Sequence, residues 1–238
     1  MLKKVIQKTI RKAGYSLNRI EGDFSMIGAL KRCKSRGIKI NTVIDVGASD
    51  GRWSKKCMNF FPDAQYLLFD AMETHKDNLT KFCTVNNNAE FMLAAAGDRE
   101  GTTFFDNSSL YGGSLSNNSE GSNIIEVPVT TIDSQINNRN LKPPFLIKLD
   151  THGFEVPILE GSKQTLTQTN LVIIEAYNFK LTEESLRFYE ICKYMENLGF
   201  SPIDMADFML RKYDNSFWQM DMFFVPSTRE EFLHRKYQ

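Results

Sequence analysis

Thr42-Val43-Ile44-Asp45-Val46-Gly47-Ala48-Ser49-Asp50-Gly51 is the stretch on which the reading of this chain turns. Apolar and β-branched residues make a short run suited to a buried strand, which stops at two glycines with a helix-like segment beyond them. Gly47 permits a turn without a Cβ and lets a ligand approach the backbone beside Ala48. Gly51 lets the next helix start close by, and Asp45 places a carboxylate at the strand tip. A strand, tight turn and helix N-terminus of this kind suit a nucleoside-type cofactor.

The spacing indicates which one. A dinucleotide fingerprint needs a third glycine, G-x-G-x-x-G, so that a pyrophosphate rests on exposed N–H groups. Here the pattern is Asp-x-Gly-Ala-x-x-Gly, with an acid where the first glycine would stand. An acid repels a pyrophosphate but accepts hydrogen bonds from a cationic amino-acid moiety, which points to S-adenosylmethionine.

The 238 residues suffice for one large α/β domain with an N-terminal extension. The expected divisions are a helical extension over 1–40, a domain over 41–228 and a tail over 229–238. Apolar residues at 42% and charged residues at 24% are ordinary for a globular protein and suggest neither a disordered nor a membrane-spanning chain. Lys+Arg and Asp+Glu are equal at 29 each, so there is no global footprint for a polyanion, and no nucleic-acid partner is expected. Cys33, Cys57, Cys83 and Cys192 are scattered without C-x-x-C spacing, against a zinc site or a disulfide framework. No run approaches a membrane span and no signal-peptide apolar region follows the basic N-terminus, so the expected compartment is the cytoplasm. Leu2, Val5, Ile6 and Ile10 recur at helical spacing among Lys3, Lys4, Lys8, Arg11 and Lys12. A basic amphipathic helix of this kind lies on an acidic membrane surface or packs on its own domain.

A second helical segment is expected from about Ser25 to Arg36. From Thr42 the pattern alternates: helix from about Arg52 to Phe61, strand Tyr66–Phe69, helix Glu73–Cys83, strand Glu90–Ala96. Such alternation implies a largely parallel sheet with helices on both faces and ligands at the carboxyl ends of its strands. Asp45, Gly47, Asp70 and Asp98 are therefore expected along one rim. Asp70, about twenty residues beyond the glycine turn, stands where a carboxylate grips ribose hydroxyls, or where a plain strand-ending Asp caps the next helix. Thr102–Phe105 and Ile124–Thr131 read as strands flanking an Asn/Ser/Gly-rich loop over 106–123, a substrate lid or a solvent loop.

The second chemical focus is Phe145-Leu146-Ile147-Lys148-Leu149 running into Asp150-Thr151-His152-Gly153-Phe154-Glu155, two acids and a histidine within six residues. A helix Glu155–Glu160 follows. Leu171–Ile174 then ends at Glu175-Ala176-Tyr177, a helix covers about Glu183 to Leu198, and Phe200–Ile203 and Gln219–Val225 are the last strands.

These blocks together resemble the FkbM-type family of S-adenosylmethionine-dependent methyltransferases: Val43–Gly51, Val127–Asp133, Leu146–Gly161 and Val172–Glu175, in the right order. Two departures stand out. His152 replaces the family's frequent acid or Gln, and Asp70-Ala71 replaces a Glu-Pro pair, keeping the carboxylate but shortening its reach. The resemblance implies a seven-stranded Rossmann-like sheet and methyl transfer, usually to a hydroxyl of a sugar, glycan or other natural product. It also implies donor binding by Asp45, Gly47, Ala48, Gly51, Asp70 and Asp98. Such transfer needs alignment and deprotonation of the alcohol. His152 is the best-placed base, and Asp150 positions the hydroxyl or orients His152 as in a triad. Glu155, Glu175 and Tyr177 are expected on the acceptor side. No metal ligand is assigned, although Asp150, Glu155 and Glu175 are oxygen donors of the kind that hold a divalent cation.

Two other functions compete. A domain that binds the donor without turnover, as a partner or scaffold subunit, would keep the same glycine turn. A nucleic-acid methyltransferase is disfavoured, because Pro143-Pro144-Phe145 precedes the fourth strand and no Asn/Asp-Pro-Pro-aromatic motif follows it.

Overall fold

The computed structural model describes residues 22–106, 114–116 and 124–238. The basic stretch 2–12 and most of the 106–123 loop lie outside the described residues. After α1 (Met26–Ser35) the chain alternates β1 (Thr42–Val46), α2 (Arg52–Met58), β2 (Gln65–Asp70), α3 (Lys76–Val85) and β3 (Ala89–Leu93). An excursion of β4 (Ala95–Ala96), β5 (Gly101–Asp106), β6 (Ser114–Ser116) and β7 (Ile124–Thr130) leads to α4 (Ile132–Arg139). Then come β8 (Phe145–Leu149), α5 (Glu155–Glu160), α6 (Lys163–Leu166), β9 (Thr169–Tyr177), α7 (Phe188–Asn197), β10 (Phe200–Leu210) and β11 (Phe217–Pro226).

The large sheet has seven strands in the order β10-β11-β9-β8-β1-β2-β3. Pairing is parallel from β9 to β3, and β11 is antiparallel to both β9 and β10. This is the mostly parallel α/β sheet that the alternation predicts. β1 and β8 are buried along their whole length, as central strands covered on both faces must be. Ile44, Val46, Ile147, Leu149 and Ile174 face α4, α5 and α7, while Val43, Leu68, Leu146 and Ile173 face α1, α2 and α3.

Several boundaries differ from expectation. The run Glu90–Ala96 is two strands, because Ala94 separates β3 in the large sheet from β4, which pairs with β7 in a second sheet of order β4-β7-β5-β6. α4 had no sequence assignment. Thr131 caps it by accepting from the Ser134 N–H, and Ile132 and Ile136, one turn apart, are its buried face. The helix expected from Glu183 begins only at Phe188, because the Ser185 hydroxyl accepts from the N–H groups of Leu181 and Thr182 in a tight turn before it. β10 and β11 extend well past their predicted spans as a hairpin. Bulges and the positive φ of Asp207 (47°) break the alternation that would have marked it.

α1, within the expected extension over 1–40, packs directly on the sheet. Met26, Ala29, Leu30 and Cys33 belong to the core beneath the second face. Asp204 of β10 receives Arg32 through Nε and Nη2, both at 2.7 Å, and Arg36 at 2.8 Å. Asp204→Ala leaves two guanidinium groups without this acceptor. Chemical denaturation should show a loss of about 1–3 kcal/mol, with an unchanged fold by circular dichroism.

Candidate active site

A cleft of about 600 Å³ opens at the carboxyl ends of β1, β2, β8 and β9. At one end the chain leaves β1 through Gly47 and Ala48, whose N–H groups both donate to the Phe69 carbonyl at 3.0 Å. Gly47 has φ 80°, and a Cβ there would stand 2.1 Å from the Asp150 carbonyl oxygen. Only glycine therefore lets the β1 and β8 tips meet at the cleft floor. Gly51 begins α2 at φ 77°, closed against the Phe82 ring. Ser49 lines the cleft, and its Oγ is buried without a hydrogen-bond partner among the described residues.

Asp70 lies at the tip of β2 and lines the same end. Its Oδ2 accepts from the Ser49 N–H at 2.7 Å, and its Oδ1 accepts from the Met72 N–H at 2.8 Å and meets His75 Nδ1 at 3.0 Å. The acid therefore welds the glycine turn to the second strand while still facing the cleft. His75 is buried and lines the cleft, although nothing in its sequence context marked it.

Two acids expected on this rim are elsewhere. Alternation along β1 turns Asp45 under α2, where Ser54 Oγ donates to its Oδ2 at 2.6 Å, and it does not line the cleft. Asp98 follows β4 and faces outward to Arg99 at 3.3 Å. It also does not line the cleft.

At the other end, β8 delivers Lys148, whose side chain is only 2% exposed. Its ammonium lies 3.2 Å from Asp150 Oδ2 and 3.4 Å from Asp221 Oδ1. Burial alone would lower the pKa of Lys148, but Asp150, Asp221 and Glu175 together raise it, so the group stays charged. Burial, the largest single influence, opposes ionisation of Asp150 too, and only the Lys148 ammonium together with Glu175 and His152 overcomes it, holding its carboxyl below the ordinary range. Glu175 moves the other way: burial and then the Asp150 charge push it up to about 8. Tyr177 Oη donates to Glu175 Oε2, and Gln219 Nε2 to Oε1.

His152, held at φ 51°, lines the cleft with Nε2 3.5 Å from Glu175 Oε2 and 3.8 Å from Asp150 Oδ1. Both carboxylates thus face the same ring nitrogen. A triad places its orienting acid on the other nitrogen, so Asp150 does not orient His152 in that manner. Glu155 turns away from the cleft. It is 4% exposed, accepts from the Gly153 N–H at 2.9 Å and Thr151 Oγ1 at 3.2 Å, and so shapes the 150–155 turn. Asp150, His152, Glu175 and Tyr177 are brought together as expected. Lys148, Asp221 and Gln219 were missed, the last two because they come from a distant reversed strand.

The matching of sequence agrees with this architecture. Residues 45–202, more than half of the chain, match the methyltransferase FkbM domain, and the chain belongs to that family. It is thereby an S-adenosyl-L-methionine-dependent methyltransferase of Rossmann-like fold. No curated protein matches it by sequence. Among solved structures, a putative tRNA methyltransferase of Streptococcus pneumoniae is similar at TM-score 0.48 and 10% identity, over 84% of this chain and 70% of that one. A SAM-dependent methyltransferase of Aquifex aeolicus is similar at TM-score 0.45 and 12% identity, over 92% and 98%. Among the described residues, no helix is long and apolar enough to cross a membrane.

Burial pushes Asp45 up to about 6, against the opposing pull of the Ser54 hydroxyl and Lys148. A carboxyl raised above its ordinary 3.8 stabilises the fold fully at low pH and loses that contribution as pH rises through the folded value. The loss is on the order of 3 kcal/mol between pH 4 and 7.5. Asp45→Asn should flatten this part of the stability profile in denaturation curves taken across that range. Parallel profiles for the two proteins would contradict the assignment.

Proposed function

We propose that the protein transfers a methyl group to a hydroxyl oxygen of a sugar, a glycan or a comparable hydroxylated small molecule. The observation that carries this reading is the placement of His152 Nε2 between two carboxylates, in the same cleft as the Gly47–Gly51 turn. The donor fits the opposite end. Ser49 Oγ is a buried hydroxyl without a partner among the described residues, Asp70 offers its carboxylate edge, and Phe69, Met72 and Ala94–Ala96 supply apolar walls. When bound, the donor supplies an electrophilic methyl on a sulfonium that leaves as a neutral thioether, so no acid is needed for departure.

The chain must then align and deprotonate the acceptor. His152 Nε2 takes the hydroxyl proton, and the ionised Asp150 beside it stabilises the imidazolium that forms. Asp150 keeps its charge through Lys148, while Tyr177 and Gln219 fix Glu175. Phe105, Phe154 and Tyr177 line the cleft with rings, so polar and aromatic surfaces meet there as the two sides of a sugar ring require. A cleft end rich in carboxylates repels phosphates, which weighs against nucleic acid. A cytoplasmic compartment is consistent with the free thiols of Cys33, Cys57, Cys83 and Cys192.

Calorimetric titration with S-adenosylmethionine should show saturable binding, weakened at least about tenfold, or 1.4 kcal/mol, in Asp70→Ala and measurably in Ser49→Ala. His152→Ala should keep donor affinity while methyl transfer to a panel of saccharides and phenols falls by about 100-fold or more. A folded wild type that binds no donor would favour the non-catalytic reading. Donor binding with full activity in His152→Ala would remove the histidine from the chemistry.

A further inference from the structure

We infer that Asp150, His152 and Glu175 form a seat for one divalent transition-metal ion at the acceptor end of the cleft. One ligand atom from each lies within 4.8 Å of the others. The separations from His152 Nε2, 3.5 Å to Glu175 and 3.8 Å to Asp150, are close to the roughly 3 Å between neighbouring ligands of an ion bound at about 2.1 Å. Small side-chain rotations close the gap. The three residues come from the tips of adjacent strands, and the cleft leaves coordination positions open to water or an acceptor oxygen.

Two further observations support a cation. Three carboxyl groups, Asp150, Glu175 and Asp221, surround the single ammonium of Lys148, so one positive charge faces more acid oxygens than it can neutralise. The ligands are also braced from behind. Lys148 holds Oδ2 of Asp150, leaving Oδ1 toward the seat, and Tyr177 and Gln219 fix both oxygens of Glu175. Such outer partners orient the ligands of metal sites. One imidazole with two carboxylates suits manganese or a neighbouring first-row ion better than magnesium. Glu155, which sequence placed among the oxygen donors, is spent on its own turn.

The role of the ion rests on the methyl-transfer reading. With the ion seated, Nε2 is a ligand rather than a proton acceptor. A hydroxyl coordinated at an open position has its pKa lowered by the ion and releases its proton to water in the open cleft. Ion and proton are thus alternative occupants of one nitrogen.

The test is titration of the chelator-treated full chain with Mn²⁺, followed by the loss of its electron paramagnetic resonance signal, without donor or acceptor. One ion per chain should bind, at least about 30-fold more weakly in Glu175→Gln and in His152→Ala, and unchanged in Asp98→Asn, an acid outside the cleft. Circular dichroism establishes that each variant is folded. Absence of saturable binding up to millimolar Mn²⁺ would overturn the inference, as would equal binding by all variants. Donor binding, read separately by calorimetry, reports on methyl transfer itself, so either idea can fail without the other.

Discussion

A single ammonium group, almost wholly removed from water at the end of the fourth parallel strand, organises one end of the cleft. Lys148 has no solvent to neutralise it and instead gathers Asp150, Asp221 and the Leu149 carbonyl around itself. Taking an ammonium out of water costs several kcal/mol, which only close and well-directed carboxylates offset. Asp221 reaches it because β11 runs antiparallel beside β9 and sets Asp221 opposite Glu175. The reversal of one strand is therefore a chemical as well as a topological feature. It brings a second acid from late in the chain to the ammonium, and frees Asp150 to face the cleft.

The donor end is built on different physics. It consists mainly of backbone: two N–H groups committed to Phe69, a third committed to Asp70, and a glycine where the chain leaving β1 closes onto the Asp150 carbonyl. Asp70 is shorter than the Glu that the family often carries. Its reach is supplemented by contacts that hold the turn itself against the strand tip. The side chains that differ from the family pattern thus fall on both ends, one in the scaffold of the turn and one, His152, beside Asp150 and Glu175.

What the sequence made legible follows from how local each signal is. The buried runs of β1, β8 and β9 and the glycines between them announce a parallel sheet, because strand burial and turn geometry are properties of short segments. The acids were harder. Asp45 and Asp150 both end strands, yet period-two alternation turns Asp45 under α2, and only Asp150, one residue past its strand, reaches the cleft. Glu155 looked as exposed to the rim as Glu175, but a helix start beside a glycine turn offers N–H donors that capture it. Asp221 and Gln219 could not be placed at all, since their role depends on the register of two strands more than forty residues apart. The outer half of β10 was hidden for another reason: bulges destroy the very alternation by which a strand is recognised.

The break at Ala94 sets apart the segment that supplies one wall of the cleft. The chain steps from the large sheet to the small one there, and returns only at α4. The described strands between, β4 to β7, form the small sheet, and Gly161 at the end of α5 closes onto the Gly97 carbonyl just after β4. Phe105, within that sheet, forms part of the cleft wall. Among the described residues β5 pairs only with β6 and β7 of the small sheet, so a side-chain change around Phe105 alters the cleft wall without touching a residue of the parallel pairs.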